Sequence, residues 1–473
     1  MAERNGTPGC EWGASADMTP WEGVMWRTEV DPRTRSSGAL VEILESEPDW
    51  DRVLAAHERV TRAIPRLRDR VVEPLVPLVP PAFSRDERFD VANHLHRIRL
   101  GSGTMRDLLD LAESLYDTPF HPGRPPWEGL LVAGLEGGRA AYVLKMHHSL
   151  TDGQGLVQLL TMAHSRTAEP SAPGPEPPLP PSEQLNPVTL LTTRLMRRAT
   201  STPAALLDRA GDSVRLAGRT ITRPSQVMGD GLRFTRSLMR VLSPPPVGRS
   251  RLLAGNHGSR CRFVALDVAL ADLKAAGRAA GGSVNDAFLA ALLGGFRRYH
   301  EHFDVHVDRI PMALPISLRT ADDPAGGNRF AGARFAGPVG ERDPRERIQA
   351  IREFVLNARA EPAIGALDLL APAVSRLPRF ALVGLAASLT SVSDVQASNI
   401  PGLGYTAYLA GARITRTFPF GPRPGVAAMA TMLSYDGTCC IGVNIDPEAI
   451  TDTGVFERCM REGFDEVLEI RTS

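Results

Sequence analysis

Two adjacent histidines open the run His147-His148-Ser149-Leu150-Thr151-Asp152-Gly153, which has the form HHxxxDG. Imidazole has an ordinary pKa near neutrality, so it can take a proton from a hydroxyl and return it later. The run follows directly on the apolar stretch Ala141–Met146, which reads as a strand. A histidine at a strand end, followed by a short polar turn, is a candidate general base. Asp152 can hold the local backbone or a neighbouring cation, and Gly153 permits a tight turn. Three plainer readings compete. Neighbouring side chains on a strand point to opposite faces, so the pair does not easily grip one metal ion, and no further His or Cys lies nearby at ligand spacing. Both rings could be satisfied core residues. The short motif could also arise by chance.

The neighbouring motifs decide. In order, they are Met18-Thr19-Pro20-Trp21-Glu22-Gly23-Val24-Met25-Trp26, Gly123-Arg124-Pro125-Pro126-Trp127-Glu128, the HHxxxDG run, Ser283-Val284-Asn285-Asp286, Leu314-Pro315-Ile316-Ser317-Leu318-Arg319 and Ala397-Ser398-Asn399-Ile400-Pro401-Gly402. This set resembles the bacterial wax ester synthase/diacylglycerol acyltransferase family nearly end to end. The counterparts are its opening segment, PLW motif, histidine motif, ND motif, PxSLR element and SNVPG motif. Pro126 stands where the family's PLW has leucine. HHxxxDG alone is shared with other acyl-transferring families, including peptide-synthetase condensation domains. The ordered set is far more specific.

The resemblance implies an α/β protein of two chloramphenicol-acetyltransferase-like domains with a substrate tunnel between them. It implies acyl transfer from an acyl-coenzyme A co-substrate to an alcohol, with no bound cofactor and no metal. Strand parity groups His148 with Tyr142, Leu144 and Met146, and His147 with Val143 and Lys145. Parity alone does not say which histidine serves as base; the resemblance chooses His148, with His147 and Asp152 completing the catalytic set. Asp152 then holds the turn that aims His148. Gly153, Trp127, Asn285 and Asn399 become the substrate-binding candidates. Asn285, near a helix start, can donate to a developing oxyanion or can simply cap and pack. No serine or cysteine nucleophile is required, and the chain has no GxSxG elbow. Two other functions remain open: an acyltransferase of the same scaffold acting on a natural-product hydroxyl or a carrier-bound thioester, and a non-catalytic lipid-binding protein.

A length of 473 residues suggests two domains. The 54 basic and 54 acidic residues balance, so no overall field attracts nucleic acid. Lys145 and Lys274 are the only lysines; every other base among the Lys and Arg is arginine. Five scattered cysteines, with a vicinal Cys439-Cys440 pair and no CxxC, fit a reducing cytoplasm. No basic-then-apolar leader opens the sequence, and no apolar run approaches the roughly 20 residues of a spanning helix.

The elements that must position the motifs are legible as periodicities. Strands are expected at 39–46, 130–135, 140–146, 260–268, 309–316, 329–335, 405–416, 426–434 and 438–445. Helices are expected at 50–64 behind Asp49, 105–116, 154–163, 267–280, 283–299 behind Ser283, 344–359 and 452–468. Leu369–Leu389 reads as a buried or interfacial helical segment. The expected organisation is an N-terminal domain over 1–167, a Pro-rich linker over 168–186, a helical crossover over 187–250 and a C-terminal domain over 251–473. Arginines 194, 197, 198, 209, 215, 219, 233, 236 and 240 stud 187–242. Solvated surface helices explain that pattern. So does an amphipathic face with Leu190, Leu191, Leu195 and Met196 dipping into a lipid surface, docking the protein on the inner membrane or on lipid inclusions.

Overall fold

The computed structural model describes residues 15–169, 178, 183–200, 247–317, 330–361 and 367–472, apart from 102, 198, 256 and 257. Its first half runs α1 (Pro20–Thr28), β1 (Ser37–Leu44), α2 (Trp50–Ala63), β2 (Asp69–Val72), β3 (Ala82–Arg85), β4 (Leu95–Arg99), α3 (Met105–Asp117), β5 (Trp127–Ala133), β6 (Ala140–His147) and α4 (Gly153–Ala163). A helix α5 follows at 187–197. The second half runs β7 (Arg262–Ala269), α6 (Leu270–Ala279), α7 (Val284–His302), β8 (Ile310–Ser317), β9 (Phe330–Gly337), α8 (Pro344–Arg359), α9 (Leu367–Val374), α10 (Arg379–Thr390), β10 (Val395–Ile400), β11 (Tyr408–Leu409), β12 (Ala412–Phe420), β13 (Ala428–Tyr435), β14 (Thr438–Ile445) and α11 (Thr453–Leu468).

Two six-stranded sheets organise these elements, in the orders β11-β12-β1-β6-β5-β4 and β7-β14-β13-β10-β8-β9. All eight residues of β6 are buried, because β1 and β5 flank it and both its faces are covered. Tyr142, Leu144 and Met146 face a core shared with α2 and α4; Val143 and Ala141 face a second core with Phe263 and Phe420. A third core surrounds α7, from Ala287 to Phe296, between the second sheet and α11.

The first sheet is not built from the first half alone. After β10 the chain crosses over, adds β11 and β12 to the edge of β1, and returns as β13 and β14. The single strand expected at 405–416 is thus a hairpin. Ala410 and Gly411 turn it at φ 49° and 95°, and Leu409 pairs with Ala412. Strand β10, parallel to β8 and β13, lies where no strand is expected and carries Ser398, Asn399 and Ile400 of the SNIPG segment. The apolar 369–389 segment is two helices, because Pro378 disfavours helix at the residue before it.

Helix α5 corrects the membrane-facing reading of two residues. Leu190 is buried against Val72, Val79 and Leu185. Arg194 is buried as well: its guanidinium binds both oxygens of Glu183 at 2.9 and 2.7 Å and Asp17 at 2.7 Å. Neither can meet a lipid. Arg198 and the arginines from 209 to 240 lie outside the described residues, as does most of the Pro-rich stretch.

Candidate functional site

Strand β6 delivers His147 opposite Ser37 on β1 and releases His148 into the turn that follows. The His148 N–H donates to the carbonyl of Ser36, the residue just before β1, at 2.8 Å, which anchors the turn at the entry to that strand. The two rings then differ. His147 is fully buried, whereas His148 keeps accessible surface. The Ser149 N–H donates to His147 Nδ1 at 3.1 Å, which makes Nδ1 a lone-pair site and places the ring proton on Nε2. Nε2 points at Glu29 Oε2, 3.4 Å away, and Trp26 packs edge-on to the ring at 5.2 Å.

Glu29 had no motif to mark it, yet it ties this corner together. Its carboxylate accepts the Ser36 N–H at 2.6 Å and the Ser37 hydroxyl at 2.5 Å while facing His147. Burial pushes the Glu29 carboxyl up, but His147, Ser37 and Ser36 outweigh it and hold the group below its ordinary range. One carboxylate therefore positions the first histidine directly. It positions the second through Ser36. Lys145, on the same face of β6 as His147, is buried with its ammonium over Phe120 and donates to the Thr118 carbonyl. Burial lowers its pKa.

Asp152 caps α4, its Oδ1 accepting the Gly155 N–H at 2.9 Å. Helix α4 thus begins one residue earlier than the periodicity suggests, at Gly153. That glycine is the contact between the histidine motif and the SNIPG segment: a Cβ there would lie 2.7 Å from Ile400 Cδ1 and 2.9 Å from its Cγ1. Asn399, next to Ile400, sits half-buried on β10 opposite Met432. Gly402 is equally constrained, since a Cβ would sit 2.2 Å from the Ser434 carbonyl oxygen. The structure therefore brings His147, His148, Asp152 and Gly153 together with the Asn399 segment. Gly153→Ala should cost about 1–3 kcal/mol of stability by overpacking Ile400. Ile400→Ala should relieve most of that cost, a coupling that a double-mutant cycle in urea measures. Additive losses would mean that the two motifs do not press on one another.

Trp127, a substrate-binding candidate from the sequence, is packed into the core. Its ring is buried between His94, stacked at 4.7 Å, and His57 at 6.3 Å, and Nε1–H donates to the Leu67 carbonyl at 2.7 Å. With Tyr142, Met146, Glu42 and His164 it lines an internal cavity of about 30 Å³. His57 Nδ1–H donates to Val53 O at 2.8 Å, leaving Nε2 to accept the Tyr142 hydroxyl at 2.7 Å. Burial pushes the His57 imidazole down to about 4 from 6.5. The unfolded chain binds that proton near pH 6.5 and the folded chain only near pH 4. His57 therefore leaves stability intact above pH 6.5 and removes it as pH falls, by about 3 kcal/mol at pH 4. The urea midpoint should drop across that window, and less steeply in His57→Gln. Equal slopes in the two proteins would contradict a neutral buried His57.

Asn285 lies half-buried at the second position of α7. Its neighbour Asp286 forms a capping box with Ser283, whose N–H donates to Asp286 Oδ2 at 2.8 Å. Helix α7 packs on α6, α8 and α11, so the second half of the chain places Asn285, independently of the histidine turn. Cys261, Cys439, Cys440 and Cys459 are all buried and unbridged. Burial raises every one of these thiols, Cys439 to about 11 and Cys440 to about 12, so they stay protonated at neutral pH.

Comparison with known proteins extends this picture across the chain. The family model for the wax ester synthase/diacylglycerol acyltransferase catalytic domain matches residues 18–288, and that for the WS/DGAT C-terminal domain matches 326–468. A Mycobacterium tuberculosis H37Rv protein described as a putative diacyglycerol O-acyltransferase is 38% identical over 475 residues, covering 99% of this chain and 94% of the relative. A probable diacyglycerol O-acyltransferase of the same strain is 30% identical, covering 76% of this chain and 78% of the relative. Among solved structures, the wax ester synthase/diacylglycerol acyltransferase from Marinobacter aquaeolei VT8 superposes with a TM-score of 0.63 at 19% identity, covering 96% of this chain and 98% of that one. The first condensation domain of the CDA synthetase superposes at 0.55 and 14% identity, covering 98% and 97%. At these identities the structural likeness concerns the fold.

Proposed function

Because the chain belongs to the wax ester synthase/diacylglycerol acyltransferase family, we propose that it moves a long-chain acyl group from acyl-coenzyme A to the hydroxyl of a lipid alcohol. Diacylglycerol would give triacylglycerol, and a fatty alcohol would give a wax ester. One observation carries this reading: the accessible ring of the pair, His148, is held through its backbone by Ser36, just before β1, at the contact between the HHxxxDG and SNIPG segments.

A ring nitrogen of His148 takes the proton as the alcohol oxygen forms its bond to the thioester carbonyl carbon. The carbonyl π electrons move onto oxygen, giving a tetrahedral oxyanion. Collapse reforms the carbonyl, breaks the C–S bond and expels the thiolate, which recovers the proton from His148. The ring ends as it began, and no acyl-enzyme forms. Asn285 is the side chain we assign to the oxyanion, where a preorganised donor matters most. His147 and Asp152 hold the turn. The substrates partition into lipid phases, and no described helix is long and apolar enough to cross a membrane. We therefore assign reversible docking on a membrane or lipid-inclusion surface to the working enzyme.

The test is thiol release from palmitoyl-CoA with diacylglycerol, hexadecanol, a short alcohol or no acceptor, with the ester identified by mass spectrometry. Release that requires a lipid alcohol and matches ester formed is the expected result. Equal release without alcohol would make the protein a thioesterase, and no turnover with any lipid alcohol would overturn the substrate assignment.

A further inference from the structure

Nine of the fifteen large apolar side chains exposed among the described residues lie on three stretches: 75–78, α5 and the α9–α10 pair. Met196, Leu75 and Phe380 are the most open, at 69%, 65% and 81%. Helix α10 is apolar around most of its circumference, yet Leu382 is its one fully buried residue. Such a helix is ordinarily buried.

The three stretches adjoin. Arg379, at the start of α10, pairs with Glu73 at 2.6 Å, just before the 75–78 loop. Leu190 and Leu191 of α5 pack on Val72 and Val79 at the two ends of that loop. Their exposed charge leans basic. Residues 74–82, 187–197 and 369–391 contain no Asp or Glu, although Asp368 opens α9. Of their four arginines, Arg194 is buried on Glu183 and Asp17 and Arg379 pairs with Glu73, which leaves Arg197 and Arg376 as the exposed arginines of the surface. The chain as a whole is balanced, so this sign bias is local.

The surface is coupled to the histidines by one helix. Helix α1 packs on α9 and α10, and Arg27 donates from Nη1 to the Ser375 carbonyl at 2.7 Å and from Nη2 to that of Leu377 at 2.9 Å. The preceding residue, Trp26, donates to Glu73 at 3.1 Å and packs edge-on to His147.

We propose that 75–78, the exposed side of α5 and α9–α10 form one docking surface, and that its occupant is an anionic lipid surface. Resting on the lipid-alcohol reading, this names where the substrate-bearing phase meets the protein. Apolar side chains enter the acyl boundary while Arg197 and Arg376 stay at the headgroups. A protein partner of the same hydrophobicity would not call for the basic lean, whereas a bilayer rich in phosphatidylglycerol complements the exposed Arg197 and Arg376.

The experiment is co-sedimentation of the full chain with phosphatidylglycerol vesicles and with phosphatidylcholine vesicles, at low and high salt. It is paired with turnover of a short acyl-CoA and a short, water-soluble alcohol. Wild type should bind the anionic vesicles and weaken as salt rises. Leu75→Ser with Met196→Ser and Phe380→Ser should weaken binding at least tenfold. Arg197→Gln with Arg376→Gln should weaken it about thirtyfold on anionic vesicles, about fivefold for each charge removed. Both variants should turn over the short pair at the wild-type rate, which separates loss of docking from loss of chemistry. Variants that bind vesicles like wild type would overturn the surface. So would a wild type that forms dimers broken by the Ser variant and ignores vesicles, which would make the occupant a second copy.

Discussion

Replacing His148 with Ala lowers the rate of ester formation by about 10²–10⁴-fold, the usual contribution of a general base, while the protein stays folded. The expectation of folding follows from the geometry. His148 holds the turn through its backbone N–H to Ser36, a bond that Ala retains. Its ring is the accessible one of the pair. His147→Ala should behave in the opposite manner. It empties a fully buried site between Trp26, Glu29 and Ser149, so stability should fall with activity. The check is kcat beside thermal melting for both variants. Near-wild-type turnover of folded His148→Ala would remove the base. A folded His147→Ala that is dead, beside an active His148→Ala, would reverse the assignment.

Trp127→Ala should cost about 3–5 kcal/mol of stability, the range for emptying a large aromatic site in a core. The ring fills the space between His57 and His94, and the vacated Leu67 carbonyl also loses its donor. Trp127→Phe keeps a stacked ring and should lose much less, chiefly the Nε1 hydrogen bond at roughly 1–3 kcal/mol. Urea midpoints measure both. At temperatures where Trp127→Ala remains folded, KM for the acyl donor should stay close to wild type. Unchanged stability with a large rise in KM would instead make Trp127 a wall of the substrate channel.

Elements governed by local pattern were legible in the sequence. Helices α2, α8 and α11 carry their apolar period and an aspartate cap, and each begins and ends within a residue or two of expectation. The Asp436-Gly437 turn between β13 and β14 is as explicit. What escaped was non-local. Strand β10 is six residues with Gln396, Ser398 and Asn399 among them, and its pairing with β8 and β13 gives no short-range sign. The return of β12 to β1 joins residues about 375 apart in sequence, from Leu44–Ile414 to Ala39–Phe420. Glu29 lacks a motif because its partners are two backbone-anchored serines and a histidine over 100 residues away. Arg194 belonged to a basic pattern on paper, but Asp17 and Glu183 bury it. The histidine motif itself was plain, since HHxxxDG is contiguous and its strand and helix are set by adjacent residues.

The central claim is that the acyl group passes straight from thioester to alcohol at His148, with the chain's own nucleophiles unused. Intact-protein mass spectrometry during the first turnover tests it most directly, with palmitoyl-CoA supplied first alone and then with a lipid alcohol. The account predicts an unmodified protein mass at every time point, thiol release that waits for the alcohol, and one ester per thiol released. A protein carrying one palmitoyl group, formed before alcohol is added and discharged when it arrives, would contradict it.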